Sequence, residues 1–316
     1  MLKTVLKRIL QCIPTVFIVV TFTFILTRMI PGNPAATILG PQASAEDIAA
    51  MEIKLGLDKP VWEQYVNYIL DVLHGDFGTS YMYNQPVLRL IAERIPKTLQ
   101  LTVTALVIAV ILGVAIGMFS ALHQYSILDY LFMILALIGV SMPVFWLGLM
   151  VVKVFAVDLG WFPATGRGGP ELLDMIRHMV LPCLCLATIP MATFARITRS
   201  SMLETINSDS IKALRARGIK ERSVIMKHAF KNALPPIVTV LGLQIASCFT
   251  GAILTENIFA WPGMGTMIVN AITNRDYTLI QGTVLFFAIV FVLVNLAVDL
   301  VYMLINPKVS YEGGSK

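Results

Sequence analysis

The chain has 316 residues, of which 57% are hydrophobic and 14% are charged, and its mean hydropathy is +0.77. Soluble proteins carry about 25% charged residues, so this composition excludes an ordinary soluble domain and indicates an integral membrane protein in a lipid bilayer. The net charge of +5 does not indicate nucleic-acid binding, because the basic residues flank apolar blocks and are not interleaved with aromatic residues.

Apolar residues are grouped in blocks of about 20, the length at which a helix crosses roughly 30 Å of hydrocarbon. The first block follows a basic start, but it is longer than the apolar core of a signal peptide, and we expect it to remain as a membrane helix. The sequence therefore predicts an all-α protein with six transmembrane helices, near residues 9–27, 99–122, 130–154, 179–195, 233–254 and 279–305.

Charge predicts the orientation of these helices. The segment 196–231 carries nine basic and three acidic residues, and basic loops remain in the cytoplasm. We therefore expect this segment and both termini to be cytoplasmic. The loop between the first two spans is then extracytoplasmic, as are Trp161 and Trp261, which we expect to be anchors at the membrane interface.

The first extracytoplasmic loop is too long for a simple connection. Ser44 and Asp47 are spaced as a capping box, and Gly56 is a typical helix stop. These signals predict a small helical cap with helices near 45–55 and 60–73. The predicted organisation is an N-terminal helix, this loop, a five-helix core that includes a cytoplasmic loop, and a cytoplasmic tail: 1–30, 31–97, 98–306 with loop 196–231, and 307–316.

Motifs for catalysis are absent. The sequence lacks H-E-x-x-H, a pair of intramembrane aspartates, a G-x-S-x-G elbow and the phosphate-binding loop G-x-x-x-x-G-K-[ST]. We assign no catalytic residue, metal ligand or cofactor to this chain, and any nucleotide-derived energy must come from a partner. Only Asp299 lies clearly within an apolar block, whereas a secondary carrier is expected to bury several acidic groups.

The segment from Ser208 to the Pro235–Pro236 pair predicts a helix-turn-helix at the membrane face. The first helix starts at Ser208 or Asp209 and breaks at Gly218, and the second starts near Lys220 and ends before the prolines. A basic amphipathic segment resting on anionic lipid is one interpretation. The other is a compact knob, formed by the small Ala213 and Ala216 and the break at Gly218, that fits a partner's groove.

Two polar residues within apolar blocks, Gln244 and Asn295, are candidates for lining a pathway, although a satisfied interhelical hydrogen bond is the favoured explanation for each of them. Gly113 and Gly117 form a G-x-x-x-G pattern, which favours close approach of two membrane helices.

The chain resembles the permeases of binding-protein-dependent ABC transporters, of the type I fold, in the branch that transports dipeptides, oligopeptides or nickel. Their E-A-A-x-x-x-G loop motif corresponds to Lys212-Ala213-Leu214 and Gly218, with Lys in place of Glu and Leu in place of the second Ala. Further matching motifs occur in order along the chain: GDFGTS (75–80), RIPKTLQL (94–101), GVSMPVFWLG (139–148), ENIFAWPGMG (256–265), NRDY (274–277) and VNLAVDLVYMLINPKV (294–309).

This resemblance implies a heterodimer with a second homologous permease in a bacterial cytoplasmic membrane. It also implies two ABC ATPase subunits, which bind ATP and Mg, and an extracytoplasmic solute-binding protein. We expect the ATPase subunits to be coupled through the knob, with contact residues Ile211, Lys212, Ala213, Leu214, Ala216 and Gly218 and with Arg215 and Arg217 as polar support. The expected function is import of di- or oligopeptides, and import of nickel or a nickel chelate by the same machinery is the alternative. A secondary carrier and an intramembrane enzyme are the rival classes, and only the ABC importer requires ATPase partners.

Overall fold

The computed structural model describes residues 2–29, 32–40 and 42–305, with the side chains of all of these except 2–9, 11, 12, 37 and 298–305. The described residues form thirteen α-helices, two π-helical segments and one short antiparallel hairpin. In chain order they are α1 (Leu2–Met29), α2 (Pro34–Leu39), α3 (Ala45–Lys54), α4 (Val61–Leu73), β1 (Thr79–Ser80), β2 (Gln85–Pro86), α5 (Val87–Leu122), α6 (Ile127–Ser141), α7 (Val144–Val151), a π-helical segment (Val152–Asp158), α8 (Leu172–Ile206), α9 (Asp209–Ala216), α10 (Glu221–Ser223), a second π-helical segment (Val224–Ala229), α11 (Phe230–Ile258), α12 (Met264–Thr273) and α13 (Tyr277–Ile305).

The all-α membrane fold is confirmed, but the number of six spans is not. Four helices of the described chain are long and apolar enough to cross a membrane: Val87–Leu122, Leu172–Ile206, Glu221–Ile258 and Tyr277–Ala297. Ile127–Ser141 and Val144–Asp158 make a fifth span if they are counted together across a 109° bend. The apolar part of α1 whose side chains are described, Ile13–Met29, is shorter than these spans.

The single helix predicted near 130–154 is wrong, because the chain leaves the helix at Met142 and Pro143. Both residues have extended backbone angles, with ψ of 131° and 132°. Proline disfavours the helical conformation of the residue before it and has no N–H to continue the ladder. The apolar run is therefore divided into α6 and α7.

The end predicted for the second helix of the 208–236 segment is also wrong. Helical structure continues from Glu221 to Ile258 and includes both Pro235 and Pro236. A proline costs about 3 kcal/mol in a helix, but each backbone group left unpaired in hydrocarbon costs several kcal/mol. An apolar chain in a membrane therefore remains helical through this pair.

Residues pack as two compact units. One contains the described residues of 1–97 and 262–293, and the other those of 98–261 and 294–316. These units are defined by packing, whereas the four predicted segments follow the order of membrane crossings, and that division remains a prediction.

In the first unit, the two predicted loop helices are present as α3 and α4. Ser44 and Asp47 form the reciprocal capping box that the sequence predicted. On α4, Tyr65 and Tyr68 pack against Phe24 of α1, with ring centroids 5.2 and 5.9 Å away. The location of these helices outside the cytoplasm remains a prediction.

Asp276 joins two of the sequence motifs within the same unit. Its buried carboxylate accepts hydrogen bonds from the Ser80 hydroxyl (2.5 Å) and from the Met82 backbone N–H (3.0 Å). The other oxygen accepts the Leu279 N–H in the first turn of α13 (3.1 Å). One side chain therefore fastens the hairpin to the start of α13.

In the second unit, α8 packs against both α6 and α11. Glycines allow close approach of α5 to α8: a Cβ on Gly113 would lie 2.5 Å from the carbonyl oxygen of Met191, and one on Gly117 would overlap the carbonyl oxygen of Ala195. The helix contact predicted from the G-x-x-x-G pattern is therefore confirmed. Trp261, which we expected at the membrane interface, is instead fully buried in the core of this unit.

Candidate functional site

Helix α9 is the short first helix of the predicted helix-turn-helix, and local sequence sets both of its ends. Ser208 is the N-cap and Asp209 begins the helix, as predicted. At the other end Gly218 adopts φ +74°. Its N–H binds the Arg215 carbonyl (2.9 Å) and the Ile219 N–H binds the Leu214 carbonyl (3.3 Å). This pair of bonds is a Schellman motif, so the turn at Gly218 is a defined structure.

The apolar side of α9 sits on a hydrophobic cluster. The Ile211 side chain is fully buried there, and Leu214 and Ile219 pack partly into the same cluster. The other buried members come from α5, α8 and the helical run after Lys220: Ala121, Met202, Val224, Ala229 and Ala233. Helix α9 is thus attached to the long helices by packing.

This burial corrects one predicted contact. Ile211 is enclosed by its own chain, so it cannot touch a partner subunit and instead positions the helix. Leu214 is half-buried. The exposed residues among the predicted contacts are Lys212, Ala213, Ala216 and Gly218, and the structure leaves their role as contacts a prediction.

Two ion pairs support this exposed face. Arg215 donates to both carboxylate oxygens of Glu221 across the turn, over 3.1 and 2.6 Å. This hydrogen bonding raises the pKa of the Arg215 guanidinium above its ordinary value, because it favours the charged form. Lys212 reaches back to Asp209 over 2.9 Å. Ala213 and Ala216 are three residues apart, so they lie on the same face of α9. Because their side chains are small, the surface between the charged groups is low there.

The connection between the two long helical runs is shorter than the predicted loop 196–231. Helix α8 continues to Ile206 and helical structure resumes at Glu221. The knob therefore consists of residues 207–220, placed between two long helical runs.

The candidate pathway residues Gln244 and Asn295 lie on α11 and α13, and both are half-buried. The Oε1 atom of Gln244 is buried and has no hydrogen-bond partner in the described chain. An interhelical hydrogen bond therefore does not account for this oxygen. Within the described residues, no group of three His, Cys, Asp or Glu side chains could hold a metal ion.

Sequence reasoning missed two buried acidic groups. Arg199, counted only as a loop charge, lies in α8 and makes a two-point ion pair with the buried Asp129 of α6. Glu256, noted only as part of a motif, is fully buried and accepts a hydrogen bond from Thr98 over 2.6 Å. For Asp129 the sequence did contain a signal, because Ser126 and Asp129 have the spacing of a helix cap at the start of an apolar block.

These features define a multi-pass membrane protein with a packed knob between its long helices. Two family models together match most of the chain: "binding-protein-dependent transport system inner membrane component" over residues 113–311, and the corresponding N-terminal family over residues 1–102. The chain belongs to this family, and it is a permease subunit of a binding-protein-dependent transporter.

Similar proteins of known name cover the full length. The chain is 46% identical to the dipeptide transport system permease protein DppB of Alkalihalophilus pseudofirmus, with 98% of this chain and 100% of that protein covered. It is 42% identical to the glutathione transport system permease protein GsiC of Salmonella typhimurium, with 99% and 100% covered.

A solved structure, that of the MetNI methionine ABC transporter in an inward-facing conformation, has the same fold. Its TM-score is 0.53 at 17% identity, and the match covers 69% of this chain and 97% of that one. The type I permease fold expected from the sequence motifs is therefore confirmed.

Proposed function

We propose that this chain imports di- or oligopeptides across a bacterial cytoplasmic membrane, forming the translocation pathway with a second homologous permease. Two ATPase subunits, with bound ATP and Mg, supply the energy, and an extracytoplasmic solute-binding protein delivers the peptide. Full-length similarity to a dipeptide permease at 46% identity supports this substrate class. Glutathione, named for a second relative, is itself a short peptide.

The observation that best supports this mechanism is that the knob, residues 207–220, is attached to the long helices by packing. Because Ile211 is buried and Gly218 closes a Schellman motif, the exposed Ala213 and Ala216 have fixed positions relative to α8 and the helical run that begins at Glu221. A partner that pushes this face displaces both long helices rather than a loose loop. The proposed topology places the knob and both termini in the cytoplasm, where the ATPase subunits bind it.

Gly218 provides the test of coupling. Nothing lies within 4 Å of a Cβ at this position, but φ is +74°, a conformation that costs roughly 1–2 kcal/mol for residues other than glycine. In Gly218→Val the strain therefore changes the turn without a steric clash. We expect the permease pair to assemble, while the ATPase subunits copurify poorly and peptide uptake falls.

Gly56→Val is the matched control, since Gly56 has φ +65°, also with nothing within 4 Å, and ends a short helix elsewhere in the chain. It should retain the ATPase subunits. Equal copurification of the ATPase subunits with both variants would refute the coupling role. Uptake by the unaltered complex in proteoliposomes, with labelled dipeptide and with Ni²⁺ separately, decides between the peptide proposal and the nickel alternative.

A further inference from the structure

Helix α4 carries a stripe of large apolar side chains that the described chain leaves uncovered. The exposed fractions are 69%, 45%, 48% and 75% for Trp62, Val66, Leu70 and Leu73. Their spacing of four, four and three residues places them within about 80° of the helix circumference. They form one continuous stripe about 16 Å long, because each residue adds 1.5 Å to a helix.

Two other surfaces of α4 border this stripe. On one side, Tyr65 and Tyr68 face α1, where both rings pack against Phe24. On the other side, residues spaced four apart form a polar strip: Glu63, Asn67 and Asp71. The stripe therefore lies between a protein contact and a polar strip, which is the pattern of a helix at a lipid–water boundary.

Contacts with α1 give the depth of α4. The sequence from Ile9 to Thr27 has no charged residue, and a helix of this length spans about 28 Å, close to the thickness of the hydrocarbon layer. The Tyr65 hydroxyl is hydrogen-bonded to Thr21 over 2.6 Å. Thr21 lies about 9 Å before the end of the uncharged stretch. Helix α4 therefore lies beside the last turns of this stretch and not beyond its end.

The surroundings of α1 at this level are apolar. Phe17 and Leu26 are nine residues apart, so they point to opposite sides of the helix, and they are 55% and 46% exposed. A helix with apolar side chains exposed on opposite sides is typical of a membrane span. The stripe of α4 thus lies next to a helix that hydrocarbon surrounds.

We propose that α4 is an interfacial helix whose apolar stripe inserts among the lipid acyl chains, in the extracytoplasmic leaflet if the proposed topology holds. Leu70 and Leu73 contact acyl chains, and the Trp62 indole N–H donates to a headgroup or to interfacial water, as tryptophan does at membrane interfaces. Helix α4 contains no Lys or Arg. Burial of apolar surface therefore holds it at the interface, without attraction to anionic headgroups.

The side chains of the stripe favour lipid over a protein as its occupant. Helices in a membrane pair mainly through small residues, because lipid tails are as apolar as leucine and give no hydrophobic driving force for association. The α5 surface that packs on α8 has Gly113 and Gly117, whereas the stripe consists of large side chains only. A solute-binding protein in water does not reach the level of Thr21, inside the uncharged stretch.

Fluorescence quenching in vesicles tests the proposal. The complete transporter, with its native cysteines replaced, carries an environment-sensitive fluorophore on Val66→Cys or Leu70→Cys, attached before reconstitution into phosphatidylcholine vesicles. Both reporters should emit at shorter wavelength than in water, lose emission to nitroxides on the lipid acyl chains, and be protected from iodide in the water. Leu73→Cys, at the end of the helix, provides a third position for the same reporter.

Asn67→Cys is the matched control, because Asn67 follows Val66 directly but is an exposed residue of the polar strip. Its reporter should be quenched by iodide and little affected by the acyl-chain nitroxides. Iodide quenching at positions 66 and 70 equal to that at 67 would place the stripe in water and overturn the proposal. Protection of both positions from both quenchers would also overturn it, since a protein subunit then covers the stripe. The measurement needs no transported solute, so its result is independent of the proposed substrate.

Discussion

Arg199 donates two hydrogen bonds to Asp129, from Nε to Oδ1 and from Nη2 to Oδ2, each over 2.7 Å. The aspartate side chain is 1% exposed and the arginine side chain 24%. The Tyr125 N–H adds a third bond to the same carboxylate over 3.0 Å. This pair connects the start of α6 to α8, the helix that leads into the knob.

Removing only the acidic partner should destabilise the protein. Asp129→Ala leaves the Arg199 charge partly buried and unpaired, which costs about 3 kcal/mol for pairs of this kind. Replacing both residues with leucine should recover most of the loss, because the unpaired charge is gone. Denaturant titration of the purified permease in detergent measures both effects, and an Asp129→Ala protein of unchanged stability would contradict the assignment.

A methyl group at Gly117 should separate α5 from α8. The new Cβ in Gly117→Ala would overlap the Ala195 carbonyl and lie 2.7 Å from the Thr198 Cβ, and overpacking of this kind costs about 1–3 kcal/mol. Ala115→Val, on an exposed face of the same helix, should change stability by less than about 0.5 kcal/mol. Thermal unfolding of the two variants distinguishes them, and equal melting temperatures would argue against the close contact.

Removing the hydroxyl group should have opposite effects on stability at two tyrosines of α4. The Tyr65 hydroxyl is hydrogen-bonded to Thr21 over 2.6 Å, whereas the buried Tyr68 hydroxyl has no partner in the described chain. Tyr65→Phe should lower the free energy of unfolding by about 1 kcal/mol. Tyr68→Phe should leave it unchanged or raise it. The reverse order in denaturant titrations would show that this packing is wrongly assigned.

The buried Tyr68 should make the stability of the protein depend on pH under alkaline conditions. Burial raises the pKa of Tyr68 to about 12, against about 10 in the unfolded chain. Between these values the folded state binds more protons than the unfolded state, so stability is full below pH 10 and falls as pH rises toward 12. Tyr68→Phe should lose less stability over this interval than the unaltered protein does.

Substitution of Gln244 distinguishes a structural role of this side chain from a role in lining the pathway. Because its Oε1 has no hydrogen-bond partner in the described chain, Gln244→Leu should not lower the melting temperature. If the side chain lines the pathway, peptide uptake should nevertheless fall. Leu243→Ala, at the exposed neighbouring position, is the control and should preserve uptake. Reduced stability of Gln244→Leu with normal uptake would contradict the pathway assignment.

Local chemistry in the sequence was enough to place most helices and the knob. Apolar blocks of spanning length locate α5, α8, α11 and α13, because the hydrocarbon layer requires a minimum apolar length. Ser208 and Gly218 are residue types common at helix ends, and the bonds of the Gly218 turn lie within a few residues of it, so the sequence alone located both ends of α9. The motif order was likewise sufficient to indicate the family.

Tertiary structure decided which side chains are buried and where an apolar block bends. Ile211 and Trp261 both occur in segments that could face a partner or the membrane interface, and only contacts with other helices bury them. The partner of Asp129 lies 70 residues away. The helix ends before Pro143 but continues through Pro235 and Pro236. A proline has the same local cost of a few kcal/mol at each place, so the surrounding structure, and not the proline alone, determines whether the helix continues.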